Sequence, residues 1–423
     1  MLEISQIRRN AEELINRLRA RNFDGKVLLE KVLELDKRRK SSQTELDQVL
    51  SKINTTSREI GALYKSGDKK EANKLKAATI GLKEASKQHN DSLTETENAI
   101  RNILLEIPNV PHESVPAGKT SDDNEIMSQH GKIPDLGDNA KPHWDLAASY
   151  DIIDFELGSK ITGSGFPVYK GKGAKLQRAL CNFFLDRAIE EGYKEIQPPV
   201  LINEESGYAT GQLPDKEGQM YQIGLDNLYL SPTAEVPLTN LYRDLILNDD
   251  DLPIKMAAYT PCFRREAGSY GKDVKGLNRL HQFDKVEIVQ IRKPEDSYDT
   301  LNEMVNYVTG LLKDLELPYK IVKLCGGDIG FTAALTFDLE VFSAGQKRWL
   351  EVSSISNFET FQTNRLKLRF KNNDGKSQLL HTLNGSALAF PRIIAALLEN
   401  NQTPQGIKIP KKLIPYTGYE YLN

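Results

Sequence analysis

The sequence is poor in cysteine. Its 423 residues include three, Cys181, Cys262 and Cys325, which lie far apart and form no CxxC pair. No histidine stands near them at the spacing of a zinc site, so the sequence predicts neither a zinc site nor a disulfide framework. We expect all three thiols to be buried or chemically inert.

Long apolar runs and an excess of one charge are also lacking. No stretch of about 18 apolar residues occurs, and Met1-Leu2-Glu3-Ile4 lacks the basic flank and apolar segment of a secretion signal. These absences predict a cytoplasmic protein without a membrane partner. The net charge of −3 at pH 7 excludes a generally cationic surface, so contact with nucleic acid would require local basic faces.

Proline is absent from the first hundred residues, where glycine is also scarce. Apolar residues at helical spacing predict a short helix over residues 4–20 and two long helices separated by a break at residues 65–70. We assign the facing apolar stripes of the long helices to Leu28, Val32, Leu35, Leu46, Val49, Leu50 and Ile53, and to Leu75, Ile80, Leu82, Leu93, Ile100 and Ile103. A helix of about 35 residues is about 50 Å long, which exceeds a small globular domain. We therefore predict an antiparallel coiled-coil arm over residues 27–104 within a helical domain of residues 1–106.

Basic side chains are frequent on the predicted arm. They include Lys37, Arg38, Arg39, Lys40, Lys52, Arg58, Lys65, Lys69, Lys70, Lys74, Lys76, Lys83 and Lys87. Such charges could follow a phosphate backbone. Acidic residues are interspersed among them, so a solvated helix face is the alternative, and on the charges alone it is the commoner one.

A segment rich in proline, glycine, serine and aspartate follows the arm and predicts a linker over residues 107–124. Residues 125–423 have a different pattern. Strand-like runs at 227–230, 255–259 and 282–289 are interspersed with amphipathic helices near 174–191, 297–315 and 389–400. The strands do not alternate regularly with helices, so we predict an α+β domain with a mainly antiparallel β-sheet flanked by helices.

Two common nucleotide-binding fingerprints are missing. The chain has no GxxxxGK[ST] sequence, and Gly163-Ser164-Gly165 does not continue as GxGxxG, so neither a P-loop nor a dinucleotide motif is present. A different pattern stands at Phe263-Arg264-Arg265-Glu266-Ala267-Gly268-Ser269, which is followed by a loop rich in glycine and lysine and by residues 279–287. We interpret it as strand, loop and strand.

Arginine in this segment suits phosphate chemistry, because its planar group stays charged and can bond two oxygens at once. Arg264 and Arg279 are the candidates. Phe283 could cover an adenine ring, and Glu266 could accept a hydrogen bond from the adenine amino group. The alternative makes Phe283 a core residue and the charges a cross-strand pair, and the segment by itself does not decide between the two.

The segment resembles motif 2 of class II aminoacyl-tRNA synthetases, in the form found in the seryl-tRNA synthetase family. Thr382-Leu383-Asn384-Gly385-Ser386-Ala387-Leu388-Ala389-Phe390-Pro391-Arg392 resembles motif 3, and the helix near 174–191 with Gln197-Pro198-Pro199-Val200 resembles motif 1. Thr233-Ala234-Glu235 and Glu351-Val352-Ser353-Ser354 match two further family elements. Motif 3 departs from the common family sequence before Arg392, although the arginine keeps its register and a proline is tolerated near a helix start. The resemblance covers essentially the whole chain.

The resemblance implies an ATP site. Arg264 would hold the α-phosphate and Arg392 the γ-phosphate, and these two are the implied catalytic residues. Phe283 would stack on adenine and Glu266 would read its edge. The remaining implied ATP residues are Arg265, Arg279, Glu351, Val352, Ser353 and Ser354. Glu351 and Ser354 would also bind Mg²⁺ together with phosphate oxygens, because magnesium prefers oxygen ligands.

The resemblance also implies a serine pocket, formed by Thr233, Ala234, Glu235, Arg264, Glu287, Asn384 and Ser386. Glu235 would recognise the ammonium group, whereas Glu287 and Ser386 would recognise the hydroxyl group. A pocket built to bond a hydroxyl disfavours alanine, because its buried polar groups would be left unpaired. Threonine would be excluded by lack of room.

The implied function is ATP-dependent charging of serine tRNA, and commonly also of selenocysteine tRNA, by a homodimer. The helical arm and the motif 2 loop would contact the tRNA. Two alternatives are a related ligase that loads an amino acid onto a carrier protein and a non-catalytic coiled-coil protein that binds RNA or protein. The basic arm disfavours the first, and the complete set of charged site residues disfavours the second.

Overall fold

The computed structural model describes residues 1–137, 140–267, 275–372 and 374–423. The chain divides into two compact units. The helical unit contains residues 2–19 and 23–108, and the sheet unit contains Met1, residues 20–22 and residues 109–423. Within the described ranges, no helix is both long enough and apolar enough to cross a membrane.

The helical unit consists of α1 (Ile4–Leu18), α2 (Lys26–Ser66) and α3 (Lys69–Leu104). The predicted break lies where α2 ends at Gly67, whose left-handed φ of 88° suits glycine, and Asp68 caps α3 by accepting from the backbone N–H of Glu71. Tyr64 bonds Asn73 across the hairpin, and Glu45 pairs with His89 farther along it. Positions earlier on α2 therefore pair with positions later on α3, so the two helices are antiparallel. This confirms the coiled-coil prediction.

The interface of the hairpin corrects part of the predicted stripes. Leu50 is 42% exposed and Ile80 is 69% exposed, so neither belongs to the interface. Small polar residues occupy interface positions instead, including Ser42 and Thr79, which are each 7% exposed. The hydroxyl of Thr79 bonds the Leu75 carbonyl of its own helix, so its burial leaves no orphaned donor.

Asp36 is a buried residue of α2 that pairs with two members of the basic run at residues 37–40. Its side chain is 2% exposed and forms ion pairs with Arg8 of α1 at 3.0 Å and with Arg39 and Lys40 of α2 at 3.1 and 3.4 Å. A buried carboxylate needs such partners, since an unpaired charge is costly to bury. Two of the basic residues therefore have a structural role within the helical unit.

The sheet unit mixes short helices with many strands. Its helices are α4 (His143–Ser149), α5 (Phe155–Ile161), α6 (Gly171–Glu190), α7 (Glu204–Thr210), α8 (Glu235–Asn240), α9 (Ser297–Asp314), α10 (Phe361–Leu366), α11 (Phe390–Asn400) and α12 (Ile414–Thr417). Its strands are β1 (Glu125–His130), β2 (Ile153–Asp154), β3 (Val168–Tyr169), β4 (Lys194–Glu195), β5 (Leu201–Asn203), β6 (Gln222–Ile223), β7 (Leu228–Leu230), β8 (Ile246–Asn248), β9 (Ile254–Phe263), β10 (Gln282–Arg292), β11 (Tyr319–Lys323), β12 (Leu335–Ser343), β13 (Arg348–Asn357), β14 (Arg369–Lys371), β15 (Ser377–Leu379), β16 (His381–Ala389), β17 (Gln402–Thr403), β18 (Gly406–Lys408) and β19 (Tyr421–Leu422).

The largest sheet in the described part of the chain has eight strands, in the order β1-β11-β12-β13-β16-β10-β9-β4. Every neighbouring pair in it is antiparallel except β4 and β9. The mainly antiparallel α+β prediction is therefore confirmed. Strands β13, β16, β10 and β9 are consecutive, so segments that are far apart in sequence meet side by side at the centre of the sheet.

Helices α6, α9 and α11 supply much of the core that covers this sheet. Phe183 and Phe184 of α6, Met304 of α9 and Phe390 of α11 belong to one cluster of buried residues. That cluster also holds Ile288 of β10, whereas the next residue, Val289, belongs to a second cluster with Phe370 and Met256. Strand β10 is thus covered on both faces, and its polar residues are enclosed rather than solvated.

Candidate active site

Strand β10 carries site residues at alternate positions. Phe283, Lys285 and Glu287 lie on one face of the strand, because successive side chains of a strand point to opposite faces. The pairing of β10 with β9 runs without a bulge from residue 282 to residue 291, so this alternation is not interrupted there. The strand therefore arranges an aromatic ring, an ammonium group and a carboxylate in one row.

Lys285 and Glu287 form a buried ion pair, with side chains 5% and 1% exposed. The ammonium group of Lys285 also donates to the hydroxyl of Thr233 at 2.9 Å. Apart from the ion pair, neither carboxylate oxygen of Glu287 has a hydrogen-bond partner among the described residues. This carboxylate therefore keeps acceptor capacity for a small hydroxylated or charged ligand.

Glu235 is the second buried carboxylate, at the first position of α8. It accepts a hydrogen bond of 2.7 Å from the side-chain amide of Gln362, whose oxygen accepts in turn from the hydroxyl of Thr382 at 2.7 Å. Burial, followed by the nearby carboxylate of Glu287, raises the pKa of Glu235 to about 7. Two carboxylates in one enclosed place favour a cationic ligand group between them.

The motif 3 strand β16 completes this pocket next to β10. Ser386 lies directly opposite Glu287, and Asn384 lies opposite Val289 in the antiparallel register. Asn384 is also within hydrogen-bonding reach of Glu235. The structure thus brings together the predicted serine-pocket residues Thr233, Glu235, Glu287, Asn384 and Ser386, with Ala234 buried beside Glu235.

Arg264 contacts both the segment next to the predicted serine-pocket residue Thr233 and the ring of Phe283. Its Nε donates to the carbonyl of Pro232 at 3.4 Å, next to Thr233, and its guanidinium lies 5.2 Å from the ring centroid of Phe283. A cation over an aromatic face is attracted by the ring quadrupole, so the two side chains orient each other. The guanidinium of Arg264 is thus fixed by the Pro232 carbonyl and by the ring of Phe283.

The rest of motif 2 lies on both sides of its loop. Glu266 and Arg279 form an ion pair at 3.2 Å, as the cross-strand alternative proposed. Arg265 is held through its main chain, where its N–H donates to the carbonyl of Gln219 at 2.9 Å. Residues 268–274, which include Gly268 and Ser269 and the loop proposed to contact tRNA, lie outside the described residues.

Arg392 joins three segments of the site. Its Nε donates to the carbonyl of Asn278 at 3.0 Å, and its Nη1 donates to the carbonyl of Glu351 at 2.7 Å. The carboxylate of Glu351 lies 3.6 Å from the same nitrogen. The guanidinium is thus fixed by two backbone carbonyls while its side chain stays 28% exposed and accessible to a ligand.

A β-bulge in β13 places Glu351 and Ser354 together. Leu339 pairs with Ser353 and Glu340 pairs with Glu351, so Val352 is the extra residue. Residues three apart in a regular strand point to opposite faces, and the extra residue restores them to the same face. Val352 is buried in the core and the hydroxyl of Ser353 donates to the Ser386 carbonyl at 2.6 Å, so nucleotide contacts from these two would use the main chain.

Sequence reasoning missed Lys285, Gln362 and Asp338. The period-two row of Phe283 and Glu287 is a signal that could have included Lys285. Gln362 lies 127 residues from Glu235 in the chain, and no local pattern links them. Asp338 lies opposite Ser354 in the β12–β13 pair, and burial, followed by the Glu351 carboxylate, raises its pKa well above the usual range.

Comparison with known proteins gives matches over both units of the chain. Residues 1–111 match the sequence profile of the seryl-tRNA synthetase N-terminal domain, and residues 221–401 match that of the class II tRNA synthetase core domain for G, H, P, S and T. The serine–tRNA ligase of Salinibacter ruber is 50% identical over 99% of this chain and 98% of its own length, and that of Akkermansia muciniphila is 46% identical over 99% and 98%.

A solved structure covers the same extent. The seryl-tRNA synthetase of Pyrococcus horikoshii, determined in complex with ATP, has a TM-score of 0.90 to this chain and is 33% identical to it. The similarity covers 99% of each of the two chains, so it includes both the helical unit and the sheet unit. On these matches, the chain belongs to the seryl-tRNA synthetase family.

Proposed function

We propose that this chain activates L-serine with ATP, giving seryl-adenylate and pyrophosphate, and then transfers the seryl group to the 3′-terminal adenosine of serine tRNA. One observation carries the proposal: two enclosed carboxylates, Glu235 of α8 and Glu287 of β10, lie near each other, and Arg264 is bonded to the adjoining Pro232. The relatives named above act, by their names, on serine and tRNA, and the Pyrococcus protein was solved with ATP.

Serine recognition follows from the charges of the pocket. Glu235 receives the ammonium group, and its bond from Gln362 holds it in place. Glu287 and Ser386, opposite each other on adjacent strands, receive the side-chain hydroxyl. Alanine would leave the Glu287 carboxylate buried without that partner, so it should be rejected strongly. Thr233 and Asn384 line the same place, where a threonine methyl group would need room.

The ATP residues act by position and charge. The serine carboxylate attacks the α-phosphorus in line, an oxygen–phosphorus bond forms, and the bond to the leaving pyrophosphate breaks; this step requires alignment and neutralisation of charge rather than a general base. Arg264, next to the serine pocket, would hold the α-phosphate. Arg392 would hold the γ-phosphate. Phe283 would stack on adenine, and Glu266 with Arg279 and Arg265 would border that face.

Mg²⁺ fits the group of oxygen atoms on β12 and β13. Glu351 supplies a carboxylate that is 50% exposed, and Ser354 supplies a hydroxyl on the same face. Asp338 lies opposite Ser354, and its Oδ1 is buried with no hydrogen-bond partner within the described residues, so it would supply a third oxygen. When bound, the ion would neutralise charge on the phosphates of ATP.

Further parts of the proposal concern the whole assembly. The helical domain of residues 1–106 would bind the tRNA, the linker of residues 107–124 would join it to the catalytic domain, and residues 125–423 would perform the chemistry. The motif 1 resemblance supports a homodimer, which measurement of the mass in solution would test. The cytoplasm, where aminoacylated tRNA is used by ribosomes, is the proposed location.

Amino-acid-dependent exchange of pyrophosphate into ATP tests the first step. Serine alone among the standard amino acids should support exchange at a high rate. If none of the amino acids supports exchange, the enzymatic proposal is refuted. If a different amino acid supports it, the serine assignment is refuted. Charging assays with serine tRNA and with an acyl-carrier protein would separate the tRNA ligase from a carrier-protein ligase.

A charge-neutralised hairpin tests the tRNA-binding role. Replacing the exposed Lys69, Lys70, Lys76 and Lys83 with glutamine should leave serine-dependent exchange unchanged while it weakens tRNA charging and reduces its salt dependence. The matched control replaces exposed acidic residues of the hairpin, Glu59, Glu84, Asp91 and Glu95, with glutamine or asparagine. Equal charging by the two variants and the wild type would show that these lysines only solvate the helix.

A further inference from the structure

A buried carboxylate at the end of α11 receives hydrogen bonds from two segments of the sheet unit, at His143 and at residues 343–346. Oε1 of Glu399 accepts from the N–H and Nδ1 of His143 at 2.9 and 2.7 Å and from the amide of Gln346 at 3.1 Å. Oε2 accepts from the hydroxyl of Ser343 and from the N–H groups of Gly345 and Gln346. Burial acts to raise the pKa of Glu399, but the bonds from His143 and Ser343 outweigh it, and the pKa is lowered.

His143 links Glu399 to the motif 2 segment by a hydrogen bond to each. Its ring is fully buried, and its Nε2 accepts a hydrogen bond of 2.8 Å from the backbone N–H of Leu277. A ring nitrogen that accepts carries no proton, so the proton of the neutral ring lies on Nδ1 and is donated to Glu399. The histidine therefore needs both of its nitrogens in fixed roles.

The chain from Lys275 to Arg279 is shaped to rest on this histidine. The ammonium group of Lys275 lies 4.5 Å from the ring centroid of Trp144, next to His143. Gly276 has a φ of +68°, and a Cβ at this position would meet Nε2 of His143 at 2.2 Å. Only glycine allows both this backbone conformation and this close approach.

Hydrogen bonds also connect Glu399, through Gln346 and Asn278, to Arg392. The side chain of Asn278 donates to Gln346 at 2.9 Å, and Gln346 bonds Glu399. The carbonyl of Asn278 accepts from Arg392 at 3.0 Å. Arg279, the next residue, pairs with Glu266. Glu399 lies seven residues after Arg392 on α11, about two helical turns away.

We propose that His143 and Glu399 are positioning residues that hold the 275–279 segment in place and thereby set where Arg279 and Arg392 meet ATP. Both side chains are 0% exposed, so they act on the nucleotide only through the segments that they bind. The inference rests on the proposed function, because it assigns ATP to these arginines. A purely structural pair would stabilise the fold without a specific effect on ATP.

Two substitutions of His143 separate its two bonds. In His143→Asn the side-chain amide lies near the former Nδ1 and can donate to Glu399, but it does not reach the N–H of Leu277. In His143→Gln the longer side chain can place its oxygen near the former Nε2 and accept from Leu277, while the side-chain donor from Nδ1 to Glu399 is lost. The hydrogen bond from the N–H of Leu277 to His143 is the one that holds residues 275–279 in place.

Equilibrium ATP binding, measured by calorimetry, and the KM values for ATP and serine in pyrophosphate exchange are the readouts. The Asn variant should weaken ATP binding about fivefold to tenfold, as expected for one lost hydrogen bond, with less than about twofold change in the KM for serine. The Gln variant should bind ATP nearly as the wild type does while its melting temperature falls, because Glu399 loses a donor. ATP binding in the Asn variant within about twofold of the wild type, or an equal rise in both KM values, would overturn the proposal.

Gly276→Ala provides a second measurement that leaves the buried pair intact. Its methyl group would displace the segment from His143, so ATP binding should weaken, and the strained φ should also lower the melting temperature. Unchanged ATP affinity in this variant would also overturn the proposal. Because ATP binding is measured directly, a wild type that binds ATP but exchanges no pyrophosphate with serine would refute the proposed function and still decide this inference.

Discussion

Serine binding should tighten as the pH rises from 6 to 7.5. Glu235 is buried near Glu287, and its pKa is raised to about 7, so much of it is protonated and neutral at pH 6. In the proposed binding mode the ammonium group of serine would pair with the ionised form, because a neutral carboxyl group offers no charge to pair with it. Serine binding must therefore release a proton from Glu235 at low pH, and that requirement weakens the observed affinity.

The magnitude follows from the ionised fraction. A group with a pKa of about 7 is about one tenth ionised at pH 6 and about three quarters ionised at pH 7.5. The dissociation constant of serine should therefore fall about eightfold over this range. The change should level off above the pKa, where Glu235 is already charged.

Calorimetric titration of the full chain with L-serine, without ATP, measures this effect at constant ionic strength. Titrations in two buffers of different ionisation enthalpy also count the protons released at pH 6. Glu235→Gln is the matched control, because its side-chain oxygen can still accept from Gln362 but does not titrate. The variant should bind serine weakly with no such pH dependence. A wild type whose serine affinity is constant from pH 6 to 7.5, or a variant with the same slope, would refute the assigned role of Glu235.

Four further predictions concern separate parts of the molecule. Arg392→Ala and Arg264→Ala should each lower the rate of serine-dependent pyrophosphate exchange by about 10²–10³, since each removes a charged group aimed at a phosphate; near-normal exchange with an unchanged melting temperature would contradict their roles. Phe283→Ala should weaken ATP binding by about 1–3 kcal/mol if the ring stacks on adenine, whereas Phe283→Tyr should retain most of it in the same binding assay. Asp36→Asn should destabilise the helical unit by about 1–2 kcal/mol, because Arg8, Arg39 and Lys40 lose their shared partner, although their own exposure moderates the loss; thermal unfolding followed by circular dichroism would detect it, and an unchanged curve would contradict it. An acid whose folded pKa is raised contributes stability below its unfolded pKa and loses that contribution as the pH rises through the folded pKa. For Glu235 this range runs from about pH 4.5 to about pH 7. Over this range the melting temperature of the serine-free wild type should fall relative to that of Glu235→Gln.

The helical unit shows where sequence periodicity succeeds and where it fails. Absence of proline and the Gly67-Asp68 pair correctly predicted two long helices and their turn, because these are local properties of the backbone. The prediction of which residues face the partner helix was less accurate, since Leu50 and Ile80 are exposed while Ser42 is buried. Which face of a helix is covered depends on the partner helix, and a polar residue that bonds its own helix can occupy a covered position.

The active site shows a similar division. Arg264, Phe283, Glu287 and Arg392 could be proposed from the sequence because each belongs to a continuous segment that resembles a family motif. The ion pair of Lys285 with Glu287 was overlooked, although both lie on one strand face. Gln362 could not be found, since nothing in the sequence indicates that the start of α10 comes within hydrogen-bonding distance of Glu235.

The sequence by itself determined the two long helices with the break between them, the mainly antiparallel α+β class of the remainder, and the residue types of the segments that resemble the family motifs. These depend on local propensity, periodicity and residue type. Tertiary structure alone decided the pKa of Glu235, the bulge that brings Glu351 and Ser354 to one face, and the anchoring of Leu277 on His143. Each of these depends on distances between segments far apart in the chain, and burial in a low-dielectric interior gives those distances their energetic weight.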